Sequence, residues 1–171
     1  VDYEDIYTEG ITKITDVDFK YAKELGVSIM LIGSSKRIGD GFCATVAPKM
    51  ISDEHPLAGV NGVMNAIFVK GNVLGDVMFY GAGAGKLPTA SAVVSDVVDA
   101  VKHMGRNIMT IWNTKKMELV NKEDISSAFF IRFSGEADAD RINKNKKAFG
   151  KGKVVKVNGV EGEFAYVTEV I

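Results

Sequence analysis

The sequence predicts an α+β fold, with a mixed or antiparallel sheet covered by helices and a small βαββ unit after it. Three observations carry this reading. Apolar runs of strand length come in pairs joined by turns rich in glycine and asparagine. One long segment repeats valine at helical spacing. A strand–helix–hairpin order closes the chain behind a polar stretch, as separate α+β units do.

Thr15-Asp16-Val17-Asp18 opens the first helix, with Thr15 or Asp16 as its cap and Asp18 adding negative charge to the first turn. Phe19, Ala22 and Leu25 are spaced for one helical face, and Gly26 stops it. Val27 to Ser34 is an apolar strand, Ile38-Gly39-Asp40-Gly41 a turn, and Phe42 to Met50 the returning strand, with Pro48 near its end. Asp53 to Leu57 is a loop. Val63 to Val69 and Val73 to Tyr80 form a hairpin turning at Lys70-Gly71-Asn72, where glycine and asparagine tolerate positive φ. Gly81-Ala82-Gly83-Ala84-Gly85 then leads to a helix starting at Pro88-Thr89 and ending at Gly105. Its apolar face is Val93, Val94, Val97, Val98, Val101 and Met104. So many β-branched residues lower helix propensity, so packing must stabilise it, and the helix is expected to lie flat on a sheet. Asn113 to Asp124 is polar and reads as a linker. Ala128 to Phe133 is a strand and Ala137 to Phe149 a helix. Lys153 to Val157 and Gly162 to Val170 form a hairpin turning at Asn158-Gly159. The domain boundaries that follow are 1–112, a linker 113–126, and a tail unit 127–171.

The totals suit a folded, water-facing chain: 171 residues, 46% hydrophobic and 25% charged. A formal net charge of −1 gives no pull toward nucleic acid or an anionic membrane, so neither is expected as a partner. Apolar runs such as Ile29 to Ile32 are too short to span a bilayer. Cys43 is the only cysteine, so no intrachain disulfide forms, which fits a cytoplasmic, reducing setting. The chain opens on Val1 and reads as polypeptide already under way.

Among residues that could carry chemistry, the glycine loop 81–85 stands out. Glycines let backbone approach a ligand, and helix N-terminal amides attract anions. Its spacing lacks the sixth-position glycine of the dinucleotide fingerprint, and no Gly-Lys-Ser/Thr follows. Spacing alone favours a tight turn between strand and helix over ligand contact. His55 precedes a proline and reads as a turn-packing or solvated residue, and His103, near a helix end, as structural. With Cys43 they have no metal-ligand spacing. Asp53 with Glu54, Asp96 with Asp99, and Lys36 with Arg37 read as solvated surface. The basic run Arg141, Lys144, Lys146, Lys147, Lys151, Lys153 and Lys156 has no interleaved aromatics for base stacking and reads as a solvated face. No nucleophile–base pair emerges.

In order along the chain stand Glu9-Gly10-Ile11-Thr12, Asp18-Phe19, Ala22-Lys23-Glu24-Leu25-Gly26, His55-Pro56-Leu57-Ala58 and Asn65-Ala66-Ile67-Phe68-Val69. Met78-Phe79-Tyr80-Gly81-Ala82-Gly83-Ala84-Gly85 and Pro88-Thr89-Ala90-Ser91-Ala92-Val93-Val94 follow, ending at Asp96. This series resembles the homoserine dehydrogenase family from about Glu4 to Met104, and the run from Met78 to Asp96 is its most specific part. The resemblance implies the C-terminal part of a catalytic and dimerisation domain, from an enzyme reducing L-aspartate 4-semialdehyde to L-homoserine with NADP or NAD cofactors. It implies a small-molecule substrate, a homodimer or higher assembly, and a role in threonine, methionine and isoleucine synthesis. The nucleotide fingerprint, the general-acid lysine, the homoserine-binding carboxylates and the monovalent-cation site have no match here. No catalytic or metal-binding residue is therefore assigned, and the segment alone is expected to be inactive. The resemblance turns the glycine loop into a cofactor site: Gly85 matches the family's cofactor-contacting glycine, with Gly83 and Ala84 beside it.

Ser127 to Ile171 resembles the beginning of an ACT domain, with Gly135-Glu136-Ala137-Asp138 in place of the usual Asp-x-x-Gly turn. The alternatives are a non-catalytic amino-acid-sensing module centred on that tail, or a dimerising structural domain.

Overall fold

The computed structural model describes residues 2–111, 114–121 and 124–171, so Trp112 and the linker residues Asn113, Lys122 and Glu123 lie outside the described residues, as does Val1. Its elements are β1 (Tyr7–Thr8), α1 (Asp16–Leu25), β2 (Val27–Ile38), β3 (Gly41–Ser52), β4 (Met64–Gly71), β5 (Gly75–Ala82), α2 (Lys86–Lys102), β6 (Phe130–Ser134), α3 (Ala139–Phe149), β7 (Gly152–Val155) and β8 (Glu163–Thr168). The α+β class is as expected, with one mixed and two antiparallel sheets. The chain groups into two compact units, Val1–Ser52 with Lys116–Ile171, and Asp53–Lys115.

In the first unit, α1 starts where the sequence places it. The Asp18 carboxylate accepts from the Thr15 N–H and hydroxyl, each at 2.7 Å, which satisfies an otherwise orphaned amide. Gly26, at φ 66°, ends the helix in the left-handed region that a side chain disfavours. The β2–β3 hairpin turns on Gly39-Asp40, with Ile38 opposite Gly41, and both strands run longer than the apolar runs that announce them. Pro48 sits within β3, opposite Leu31, rather than near its end.

The other edge of β3 carries two short pairings. Tyr7 and Thr8 lie parallel to Thr45 and Val46. Leu119 bridges Phe42, with the Phe42 N–H donating to the Glu118 carbonyl at 3.0 Å. A side chain at Gly41 would press within 2.8 Å of that carbonyl, so glycine permits the close approach.

The tail sheet runs β6-β8-β7, all antiparallel. Asp138 caps α3 by accepting from the Arg141 N–H at 2.8 Å, and the helix starts after it rather than at Ala137. The β7–β8 connection is longer than a tight Asn158-Gly159 turn, because pairing stops at Val155 opposite Ala165. Tyr21 of α1 is fully buried with Val155 and Ala165 of this sheet, and Val17, Leu25, Phe130 and Val167 pack around them. The tail and α1 thus share one core. Both therefore belong to the first compact unit.

The second unit holds the β4–β5 hairpin and α2. Its turn comes later than the Lys70-Gly71-Asn72 turn read from the sequence. Gly71 pairs with Gly75, and the loop between them closes on Gly75 at φ 74°, the left-handed position that such hairpins require. The helix starts at Lys86, two residues earlier than Pro88 suggests. Pro88 falls in the first turn, where its missing N–H costs nothing.

The expectation that the valine helix lies flat on a sheet is not met within the described chain. Val93, Val94, Val97, Val98 and Val101 are 46–61% exposed. The nearest sheet in sequence, β4–β5, has only two strands, and no described residue of this unit buries the valine face.

Candidate functional site

The site is built on the end of the β4–β5 hairpin. Pairing runs to Met64 opposite Ala82, and the Gly83 N–H then donates to the Val63 carbonyl at 3.2 Å. That bond holds the chain against β4 while it bends toward the helix. Gly85 is the N-cap of α2, at φ 119° and ψ 155°. A Cβ there would meet only the Pro88 ring, at 3.6 Å, so space allows a side chain but the backbone angle does not. No side chain caps this helix end. The Thr89 N–H makes the first helical bond, to the Gly85 carbonyl at 3.1 Å. The amides of Lys86 and Leu87 belong to the first turn, which has no partners within the helix and suits negative charge or hydrogen-bond acceptors.

Gly83, Ala84 and Gly85 are all exposed, and no side chain of the loop rises between their backbone and solvent except the Ala84 methyl. Gly83 has a different reason to be glycine. A Cβ there would collide with the Asn65 amide nitrogen and lie 2.9 Å from the Asn65 carboxamide carbon. Sequence reasoning did not single out Asn65. Its signal was its place in a strand otherwise read as apolar.

His55 packs its ring on Phe68, centroids 4.8 Å apart, and its Nδ1 accepts from the Leu57 N–H at 3.1 Å. His103 caps the end of α2, its Nδ1 2.9 Å from the Asp99 carbonyl and 3.4 Å from the Asp99 carboxylate. The two histidines thus each serve a turn or helix end. Among the described residues there is no cluster of His, Cys, Asp or Glu that could hold a metal ion, and no helix long and apolar enough to cross a membrane.

The strongest polar constellation lies away from the glycine loop, in the first unit. Arg132 of β6 donates to Asp18 at 2.8 Å, to the Thr15 hydroxyl at 3.0 Å, and to both oxygens of Glu163 at 2.8 and 3.0 Å. Burial alone would raise the Asp18 pKa, but the Arg132 and Thr15 hydrogen bonds outweigh it and hold the carboxyl below its ordinary range. The Glu163 hydrogen bond leads the causes that push the Arg132 pKa up. Burial, and next the Glu163 carboxylate, raise the Tyr21 phenol, whose hydroxyl lies near Glu163 but makes no well-formed hydrogen bond with a described residue. This cluster joins the tail to α1.

The chain matches the crystal structure of a homoserine dehydrogenase from Thiobacillus denitrificans at TM-score 0.80 and 30% identity, over 99% of this chain and 42% of that one. It matches the S. aureus homoserine dehydrogenase at TM-score 0.71 and 30% identity, over 100% of this chain and 42% of that one. The family model for homoserine dehydrogenase matches residues 1–98. A homoserine dehydrogenase of Bacillus subtilis is 36% identical over 156 residues, 88% of this chain and 36% of that protein. One of Helicobacter pylori is 43% identical over 129 residues, 75% of this chain and 31% of that protein. The chain belongs to the homoserine dehydrogenase family. It spans about a third of the length of these curated relatives.

Proposed function

We propose that the chain forms the later part of an NAD(P)-dependent homoserine dehydrogenase, reducing L-aspartate 4-semialdehyde to L-homoserine. In that enzyme, this segment forms one wall of the nicotinamide site. The observation that carries the reading is the exposed, nearly side-chain-free bend Gly83–Gly85 at the head of an uncapped helix. Gly85 meets the cofactor, with Gly83 and Ala84 beside it. The bound cofactor supplies the hydride for the aldehyde carbon. The chain's own part is to bring bare backbone against the nicotinamide half and to aim first-turn amides at its polar groups.

The lysine that the family resemblance expects as proton donor has no match here, so this segment alone does not turn over. The valine face of α2 and the open face of β4–β5 are covered by the remainder of the polypeptide or by a second subunit in a homodimer. Their exposure within this chain supports that. The division into a catalytic part to residue 112 and a tail unit from 127 belongs to the same reading. The tail places its third strand between its first and second, β6-β8-β7, which supports an ACT-like βαββ remnant. Calorimetry with threonine, methionine and lysine tests whether the tail senses an amino acid. No heat with any of them at millimolar levels removes a sensing role.

The main test is Gly85→Val in a full-length enzyme carrying this segment. A residue with a Cβ held at φ 119° is strained by about 1–3 kcal/mol, and the loop relieves that by moving. The cofactor KM is expected to rise about tenfold or more with the fold intact. Unchanged kinetics remove the role given to the loop.

A further inference from the structure

The open face of the β4–β5 hairpin carries a polar group that the reading above does not use. Residues opposite one another in an antiparallel pair share a face. The register places Val69 with Val77, Ile67 with Phe79, and Asn65 with Gly81 on one side, closed by Gly71 and Gly75 at the turn. Ile67 and Phe79 are about two-thirds exposed. Among the described residues of that face, Asn65 alone has a polar side chain. It stands at the end nearest the glycine loop, with its carboxamide laid over the α-carbon of Gly83. Its oxygen and amide hydrogens make no hydrogen bond with any described residue.

An apolar face of this kind is stable only when covered, and covering strips water from whatever polar group it carries. A carboxamide so desolvated costs free energy unless it finds a matching donor and acceptor. The ligand proposed for this loop has one: the nicotinamide ring bears a carboxamide of its own. We infer that Asn65 is a cofactor-contacting residue that pairs with that carboxamide, its Oδ1 accepting from the nicotinamide amide N–H and its Nδ2 donating to the nicotinamide carbonyl. The inference rests on the reading of the loop as a cofactor wall. It adds a specificity element: Gly83 is glycine to seat Asn65, and Asn65 reads the amide.

The test measures dissociation constants in the full-length enzyme for the natural reduced dinucleotide and for its 3-acetylpyridine analogue. The analogue keeps the carbonyl and replaces the amide nitrogen with a methyl group. The parent enzyme is expected to bind the natural cofactor about tenfold more tightly than the analogue. In Asn65→Ala that ratio falls to within about twofold, because the group that distinguishes the two ligands is gone. A merely structural role weakens both ligands alike and leaves the ratio unchanged, which overturns the inference, as does unchanged binding of both. If Asn65→Ala does not fold, Asn65→Asp keeps the shape over Gly83 and removes the donor to the carbonyl that both ligands share. Both dissociation constants then rise about tenfold, and unchanged constants overturn the pairing. Gly85→Val separates the two readings. If it weakens cofactor binding while the Asn65 variants do not, only the Asn65 assignment falls. If it leaves binding unchanged, the loop itself is misassigned.

Discussion

Replacing Arg132 with methionine tests whether one side chain fastens the tail to α1. Methionine keeps most of the aliphatic stem and deletes the guanidinium, which bonds Asp18, Thr15 and Glu163 at 2.8–3.0 Å. Removing one member of a fully buried ion pair costs about 3–5 kcal/mol, because the remaining charge is left without compensation. Here water reaches part of the cluster: the side chains of Arg132, Asp18 and Glu163 are 27%, 12% and 21% exposed. Screening brings the expected loss to about 2 kcal/mol. Because α1 and the tail share the Tyr21 core, that loss opens both elements together. Hydrogen exchange in the full-length protein reads it directly: amides of α1 and β8 should exchange about 30-fold faster, while those of β2 stay unchanged. Unchanged protection in α1 and β8, or a change confined to one of them, refutes the idea that this cluster joins them.

Asp18 also sets an acid dependence. Its folded pKa lies below the unfolded value, so its stabilisation is complete above about pH 5 and is lost as pH falls through the folded value. Asp18→Asn should lower α1 protection at pH 7 and flatten its decline in acid. An unchanged acid profile in exchange experiments contradicts that. Tyr21→Phe removes a buried hydroxyl with no well-formed hydrogen bond among the described residues, so thermal stability should be unchanged or rise by up to about 1 kcal/mol. A clear fall in Tm means the hydroxyl is bonded. Val97→Lys in the full-length enzyme should lower stability by about 2 kcal/mol or more if the face of α2 is covered there. A neutral result by thermal denaturation shows that this face meets water.

Local chemistry was legible where neighbours in sequence decide the outcome. Gly26 ends α1 and Gly39-Asp40 turns β2 into β3 because short-range backbone limits leave few choices. The valine repeat announced α2 for the same reason. Pro88 misled by two residues, since proline is tolerated anywhere in a first turn. The Arg132–Asp18 pair joins positions separated by 114 residues, and no periodicity reports such a meeting. A lone arginine in the apolar strand Phe130–Ser134 was the one available hint. The glycine loop was visible as a pattern, but its exposure and the hold of Asn65 on Gly83 required three dimensions. The covering of α2 was not legible, because it depends on what the helix meets beyond its own unit.

One pairing in the tail bears on how firmly it is held. Ser127 and Ile171 exchange two backbone hydrogen bonds, at 3.0 and 3.1 Å, beyond the β6–β8 ladder. Tyr21 links the same sheet to α1, so a change that loosens the tail also strips an aromatic ring of its cover.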